Sequence, residues 1–209
     1  IAEAYLKVKL GRKKRDQDKD EEDIKTTAYH EAGHAIVAKF TPYSDPIEQV
    51  SIISRGMAGG VTVYLPEKDT KHLFKDQILA HMRSGVAGRA AEELFIGRIS
   101  TGASSDIENV TEMAREMVTQ YGMSDDLGMV KYGDAEETKH LGYNYGGGRA
   151  YSEEYAKKID NEVKKLVDEA YREAKKILKE HKEEVEKLVK MLLEKEVVTG
   201  EEFESIFEA

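Results

Sequence analysis

In residues 27–40, Thr27-Ala28-Tyr29-His30-Glu31-Ala32-Gly33-His34-Ala35-Ile36-Val37-Ala38-Lys39-Phe40, apolar side chains recur at Ala28, Ala32, Ala35, Ile36, Val37 and Phe40. This is the repeat of a mostly buried helix, and Thr41-Pro42 supplies a stop just after it. The polar exceptions are His30, Glu31 and His34. On a helix, residues 30 and 34 lie one above the other on one face with Glu31 beside them, which is the arrangement of a zinc-binding pair with a general base. Burying such groups without partners costs roughly 2 kcal/mol or more each. Two hydrogen-bonded core histidines are the plainer alternative. A metal explains the cluster better, since it takes two of the six histidines in the chain.

Working outward, the 209 residues are enough for one sizeable domain burying about 70% of its unfolded surface. Lys and Arg number 32 against 41 Asp and Glu, a net charge of −9, and no basic face interleaved with aromatics is present, which argues against nucleic acid as a partner. The absence of cysteine excludes disulfides, thiolate ligands and a cysteine nucleophile. No run approaches the roughly 18 apolar residues of a membrane span, and Ile1 to Leu10 lacks the form of a signal peptide, so the chain as it stands is expected to be soluble. Gly146-Gly147-Gly148 is followed by Arg149 without Lys-Ser/Thr, so it reads as a loop and not a phosphate-binding turn.

Upstream of the motif, residues 1–10 read as a short helical piece, followed by the basic run Arg12-Lys13-Lys14-Arg15, a solvated linker whose field is cancelled by Asp16, Asp18, Asp20, Glu21, Glu22 and Asp23. Acid at that point also complements a helix start. Downstream, Val50, Ile52 and Ile53, then Val61, Val63 and Leu65, flank Arg55-Gly56-Met57-Ala58-Gly59-Gly60, giving a strand, a glycine-rich turn and a second strand. Lys71 to Phe95 is expected as one long helix with Phe74, Ile78, His81, Gly85, Gly88, Glu92 and Phe95 on one inward stripe. Ser100-Thr101-Gly102-Ala103-Ser104-Ser105-Asp106 turns into a helix with serine near the cap, and Val110, Met113, Ala114, Met117 and Tyr121 share its inward stripe with Asp106. From Ser152 to about Glu194 two amphipathic helices are expected, with a break near His181, and Thr199-Gly200-Glu201-Glu202 forms a capping box for a last short helix ending at Phe207.

A catalytic zinc takes three protein ligands and leaves the fourth position to water. The residues leave the third ligand open among Asp106, Glu92, Glu93, His72, His81 and His140.

The motifs His30-Glu31-Ala32-Gly33-His34, Gly88-Arg89-Ala90-Ala91-Glu92-Glu93, Ser100 to Asp106, and Met117-Val118-Thr119-Gln120-Tyr121-Gly122-Met123-Ser124 follow one another in an order that resembles the FtsH family of ATP-dependent zinc metalloproteases. Ile53-Ser54-Arg55-Gly56 leading to Gly60-Val61-Thr62 and Leu65-Pro66 extends the resemblance to roughly residues 24–208. It implies a mainly α fold: a helical zinc-peptidase domain with a small β-hairpin or sheet and a C-terminal amphipathic helical bundle. It implies one zinc held by His30, His34 and Asp106, Glu92 behind the histidines, Glu31 as general base for a zinc-activated water, and Gly60, Val61 and Thr62 on a strand that binds substrate. Residues 1–16 then resemble the end of an AAA ATPase module plus a basic linker, and 17–209 the peptidase domain. ATP enters only through that module. The implied substrates are unfolded or membrane polypeptides, the assembly is a homo-hexamer, and the full-length protein sits in a membrane with this domain on the cytoplasmic, matrix or stromal side. The family more often has asparagine where Ser105 stands. Two rival readings are a stand-alone zinc peptidase using Glu92 or Glu93 as third ligand and a non-enzymatic helical assembly module.

Overall fold

The computed structural model describes residues 20–54, 59–65, 72–132 and 151–208. The expected helical piece and linker of residues 1–16, the hairpin tip at 55–58, His140 and the Gly146–Gly148 loop lie outside them.

Helix α1 (Glu21–Lys39) starts where its chemistry permits: the Asp20 side chain accepts from the Glu22 amide, and Glu21, Glu22 and Asp23 fill the first turn. From Ala28 to Ala38 every residue but His30 is buried, so α1 threads the middle of the molecule. Strand β1 (Ile47–Ser51) pairs antiparallel with β2 (Val61–Tyr64), in the register Val50 to Thr62 and Ser51 to Val61, as the hairpin pattern predicts. On its other side β1 pairs with β3 (Val197–Thr199), giving the order β2-β1-β3. The sheet is completed by a strand that the sequence pattern does not announce, because three residues between a helix end and a capping box are too short to show alternation.

The helix expected from Lys71 begins at Lys75 and is not continuous. It runs as α2 (Lys75–Gly85), turns at Val86, resumes as α3 (Ala87–Ala91) and ends in a single π-type turn, Glu92–Ile96, closed by Gly97 in the left-handed region at φ 74°. Phe74 precedes the first turn and is 69% exposed, so it departs from the inward stripe on which a helical wheel places it. Helix α4 (Ser104–Thr119) likewise ends before Tyr121, which is exposed, and its N-cap is Ala103 with no side-chain cap bond, so the expected serine cap is not used.

Helices α5 (Glu153–Glu180) and α6 (Lys182–Lys195) bury the stripes Ile159, Val163, Ala170, Leu178 and Val185, Leu188, Val189, Leu192. At their elbow His181 stacks on Phe40, ring centroids 3.4 Å apart, which pins the elbow to the end of α1. Helix α7 (Gly200–Glu204) opens on the predicted capping box between Thr199 and Glu202. The fold is therefore mainly α with one small antiparallel sheet. α1 packs against α3 and α6, and α4 against α2 and α5. Gly33 makes the first crossing possible, since a Cβ there would lie 2.6 Å from the Ala87 carbonyl oxygen and 2.7 Å from the Ala91 Cβ. No described helix is long and apolar enough to cross a membrane.

Candidate metal centre

One helical turn of α1 places His30 and His34 on the same face, and their Nε2 atoms stand 3.0 Å apart. The first turn of α4 brings Asp106 to them, its Oδ2 lying 3.1 Å from His30 Nε2 and 3.6 Å from His34 Nε2. Among the described residues these three form the group able to hold a metal ion.

The other nitrogen of each imidazole is already committed. His34 Nδ1 lies 2.6 Å from the Ser84 carbonyl oxygen, which can only accept, so Nδ1 carries the proton and Nε2 presents a lone pair. His30 Nδ1 lies 2.7 Å from Glu92 Oε1. The Ser100 amide donates to the other Glu92 oxygen at 2.7 Å, and these bonds outweigh burial in holding the Glu92 carboxyl below its ordinary range. Glu92 is thus an acceptor, and His30 Nδ1 is the donor. Two imidazole lone pairs and a carboxylate oxygen converge with edges of 3.0 to 3.6 Å, against the roughly 3.4 Å between ligands of a tetrahedral zinc with bonds near 2.1 Å. The donor set and its spacing fit zinc. Without it, burial works against the His30 imidazolium, but hydrogen bonds to Asp106 and Glu92 win and raise its pKa to about 10. Burial opposes the Asp106 carboxylate as well, but hydrogen bonds and charge from His30 and His34 hold it well below the usual carboxylate range.

Close approach is built into the backbone. A Cβ at Gly88 would lie 2.5 Å from His30 Nε2 and 2.6 Å from His34 Nε2, so α3 can pass the imidazoles only as glycine. Gly60 brings β2 against Glu31 in the same way, a Cβ there falling 2.8 Å from Glu31 Oε1.

Glu31 is buried next to the histidines, and Thr62 Oγ1 donates to its Oε2 at 2.8 Å. Burial raises the Glu31 pKa, opposed by His34, His30 and the Thr62 bond. A carboxylate so raised suits proton transfer near neutral pH. A cavity of about 1060 Å³ opens on His30, Glu31, His34 and Asp106, with Gly60, Val61 and Thr62 along its rim. β2 is one of the two outer strands of the sheet among the described residues, and Val61, Thr62 and Tyr64 of it line this opening.

The remaining candidates lie elsewhere. Glu93 is bonded to Lys175 and Tyr171 on the α5 side, His81 lies 3.7 Å from Asp45, and His72 is exposed. Sequence reasoning missed Ser84 and the Ser100 amide, which act through backbone groups that leave no trace in residue type. It also missed that Thr62 touches Glu31; strand alternation could have aimed Thr62 at the α1 side of the sheet.

Residues 18–206 match the family model described as peptidase family M41. The chain is 45% identical over 207 residues to the ATP-dependent zinc metalloprotease FtsH 1 of Thermoanaerobacter sp. (strain X514), covering 99% of this chain and 34% of that protein. It is 46% identical over 206 residues to the ATP-dependent zinc metalloprotease FtsH of Caldicellulosiruptor bescii, covering 99% and 33%, and 45% identical over 208 residues to that of Ruminiclostridium cellulolyticum, covering 100% and 34%. The chain spans about a third of the length of the curated relatives it matches.

Proposed function

The chain belongs to peptidase family M41, and from that premise we propose that it is a zinc-dependent endopeptidase domain that hydrolyses peptide bonds of unfolded or membrane polypeptides. The observation that carries this reading is the convergence of His30 Nε2, His34 Nε2 and Asp106 Oδ2 beside a buried Glu31 on one open cavity. His30, His34 and Asp106 would hold one zinc per chain, and three protein ligands are the number a catalytic site uses where a closed structural site uses four. When bound, zinc supplies Lewis acidity, lowering the pKa of a coordinated water towards about 7 and polarising the peptide carbonyl.

Glu31 takes the proton of the attacking water at a carboxylate oxygen and returns it to the leaving amine. Thr62 holds that carboxylate in place, and Glu92 and the Ser84 carbonyl fix the rings and raise the basicity of the imidazoles. The edge of β2, with Gly60, Val61 and Thr62, offers backbone groups along which an extended polypeptide adds as a further strand.

The wider setting is part of the same proposal and is supported by the family resemblance. The relatives are named ATP-dependent zinc metalloproteases, and the chain matches about a third of each. In this reading residues 1–16 are the end of an AAA ATPase module and its linker, and residues 17–209 the peptidase. ATP acts only through that module. The working assembly is a homo-hexamer anchored in a membrane, with this domain on the cytoplasmic, matrix or stromal side.

The test is zinc content after dialysis together with casein cleavage, with and without a chelator. Bound zinc and chelator-sensitive cleavage are expected, with both lost in Asp106→Ala. Zinc and activity kept in Asp106→Ala but lost in a Glu92 or Glu93 variant would assign the third ligand to a glutamate. Zinc without cleavage would leave an assembly module.

A further inference from the structure

Resting on the reading of His30, His34 and Asp106 as the zinc-binding set, we propose that Arg89 is a positioning residue for Asp106. It holds the backbone of Ser100 from one side while Glu92 holds it from the other, and so fixes the loop that delivers the third donor.

Asp106 needs such support because its own surroundings give little. Helix α4 starts from Ala103 with no side-chain cap bond, so the free amides of its first turn lack the usual acceptor. Ala103 is fully buried, but Ser104, Ser105, Ile107, Glu108 and Asn109 are exposed, and burial resumes at Val110. The loop before it, residues 97–102, is exposed throughout. The Gly102 amide donates to the Ser100 hydroxyl at 3.1 Å and the Ser104 amide to the Thr101 carbonyl at 3.2 Å, bonds that shape the turn without tying it to the body of the protein. A segment with few buried apolar contacts and exposed hydrogen bonds opens at low cost.

The tie is made at Ser100. Its amide donates to Glu92 Oε2 at 2.7 Å, and its carbonyl oxygen accepts from Arg89 Nη1 at 3.0 Å. Both backbone groups are thereby held by charged side chains, whose hydrogen bonds are stronger than neutral ones. Arg89 and Glu92 are three residues apart where α3 passes into the π-type turn, so they lie on one side of that element. Gly88 of the same helix packs on both imidazoles, and Glu92 also accepts from His30 Nδ1. α3 is therefore a common frame for the histidine pair and for the loop that ends in Asp106, and Arg89 bonds on the Asp106 side of it. The Arg89 charge also acts on Glu93, which makes Glu93→Gln the control for that second contact.

The test combines zinc affinity, by competition with a chromophoric chelator, with backbone hydrogen exchange of the zinc-free protein read amide by amide by NMR. Arg89→Gln is expected to weaken zinc binding by about tenfold, the low end of what groups behind a metal ligand contribute. Exchange quickens at the Ser100, Ser104 and Ile107 amides and is unchanged in α1 and in α4 beyond Val110. Arg89→Lys keeps a cationic donor and recovers part of both effects, and Glu93→Gln reproduces neither. Zinc affinity unchanged in Arg89→Gln while Asp106→Asn weakens it overturns the role of Arg89. So does faster exchange spread across the whole protein, or an equal loss in Glu93→Gln. Zinc bound as tightly by Asp106→Asn as by the parent overturns the zinc-site reading instead.

Discussion

Thr62 Oγ1 donates a 2.8 Å hydrogen bond to Glu31 Oε2, so strand β2 and the buried Glu31 carboxylate are tied together. The bond stabilises the ionised carboxylate and works against the burial that raises its pKa. Removing the donor while keeping the shape, in Thr62→Val, raises the Glu31 pKa further. The acid limb of the kcat/KM profile should therefore move to higher pH, and a profile that stays in place would detach Thr62 from the base.

Glu31→Gln keeps the size of the side chain and removes its basicity. Zinc content is expected to remain near one per chain while proteolysis drops by about 10²- to 10⁴-fold. Retained activity in this variant would require another base.

Glu92 accepts from His30 Nδ1 and from the Ser100 amide, so it orients one ring and anchors the loop that leads to Asp106. Glu92→Gln should weaken zinc affinity by roughly 10- to 100-fold, measured by competition with a chromophoric chelator. Glu93→Gln serves as the contrast, because Glu93 bonds to Lys175 and Tyr171 on the outer side. Equal losses in both variants would make the effect one of general stability.

Gly88→Ala places a methyl group within 2.6 Å of both imidazole Nε2 atoms, so either the rings, held by Glu92 and the Ser84 carbonyl, or α3 itself has to give way. The expected result is a folded helical protein, by far-ultraviolet circular dichroism, that takes up little zinc. Full uptake would mean that α3 can retreat from α1.

Tyr29 is buried and donates to Glu186 at 2.8 Å, and burial, the hydrogen bond and the Glu186 charge together push its pKa up to about 12. A folded pKa above the unfolded value of 10 contributes stability that is whole below pH 10 and is lost as pH rises from 10 to about 12, where the unfolded chain has given up its proton first. Urea midpoints should fall less steeply across that interval in Tyr29→Phe than in the parent. Identical slopes would assign the alkaline loss to other groups.

Much of this was legible in the chain. α1 announces itself because burial on nearly all sides leaves His30, Glu31 and His34 as conspicuous exceptions. Asp106 falls inward because it precedes Val110 by one turn. The break at Val86 and the π turn after Ala91 were not legible, since Gly85 and Gly88 serve close packing and carry no mark of where a helix will bend. Phe74 and Tyr121 failed for a different reason: each lies just outside its helix, where the angular step of the helical wheel no longer applies. The partners of the two imidazoles were half visible, because Glu92 is a side chain and Ser84 acts through its carbonyl.

The pairing of Gln49 with Thr199 joins residues roughly 150 apart, and it has a bearing on synthesis at the ribosome. β1 and β2 can meet as soon as both have emerged, but the second flank of β1 arrives only after α5 and α6 have been made. The three-stranded sheet therefore cannot be complete until residues 197–199 have been made. A nascent chain stalled before residue 197 holds His30, His34 and Asp106 and yet lacks the strand that pairs with the second side of β1.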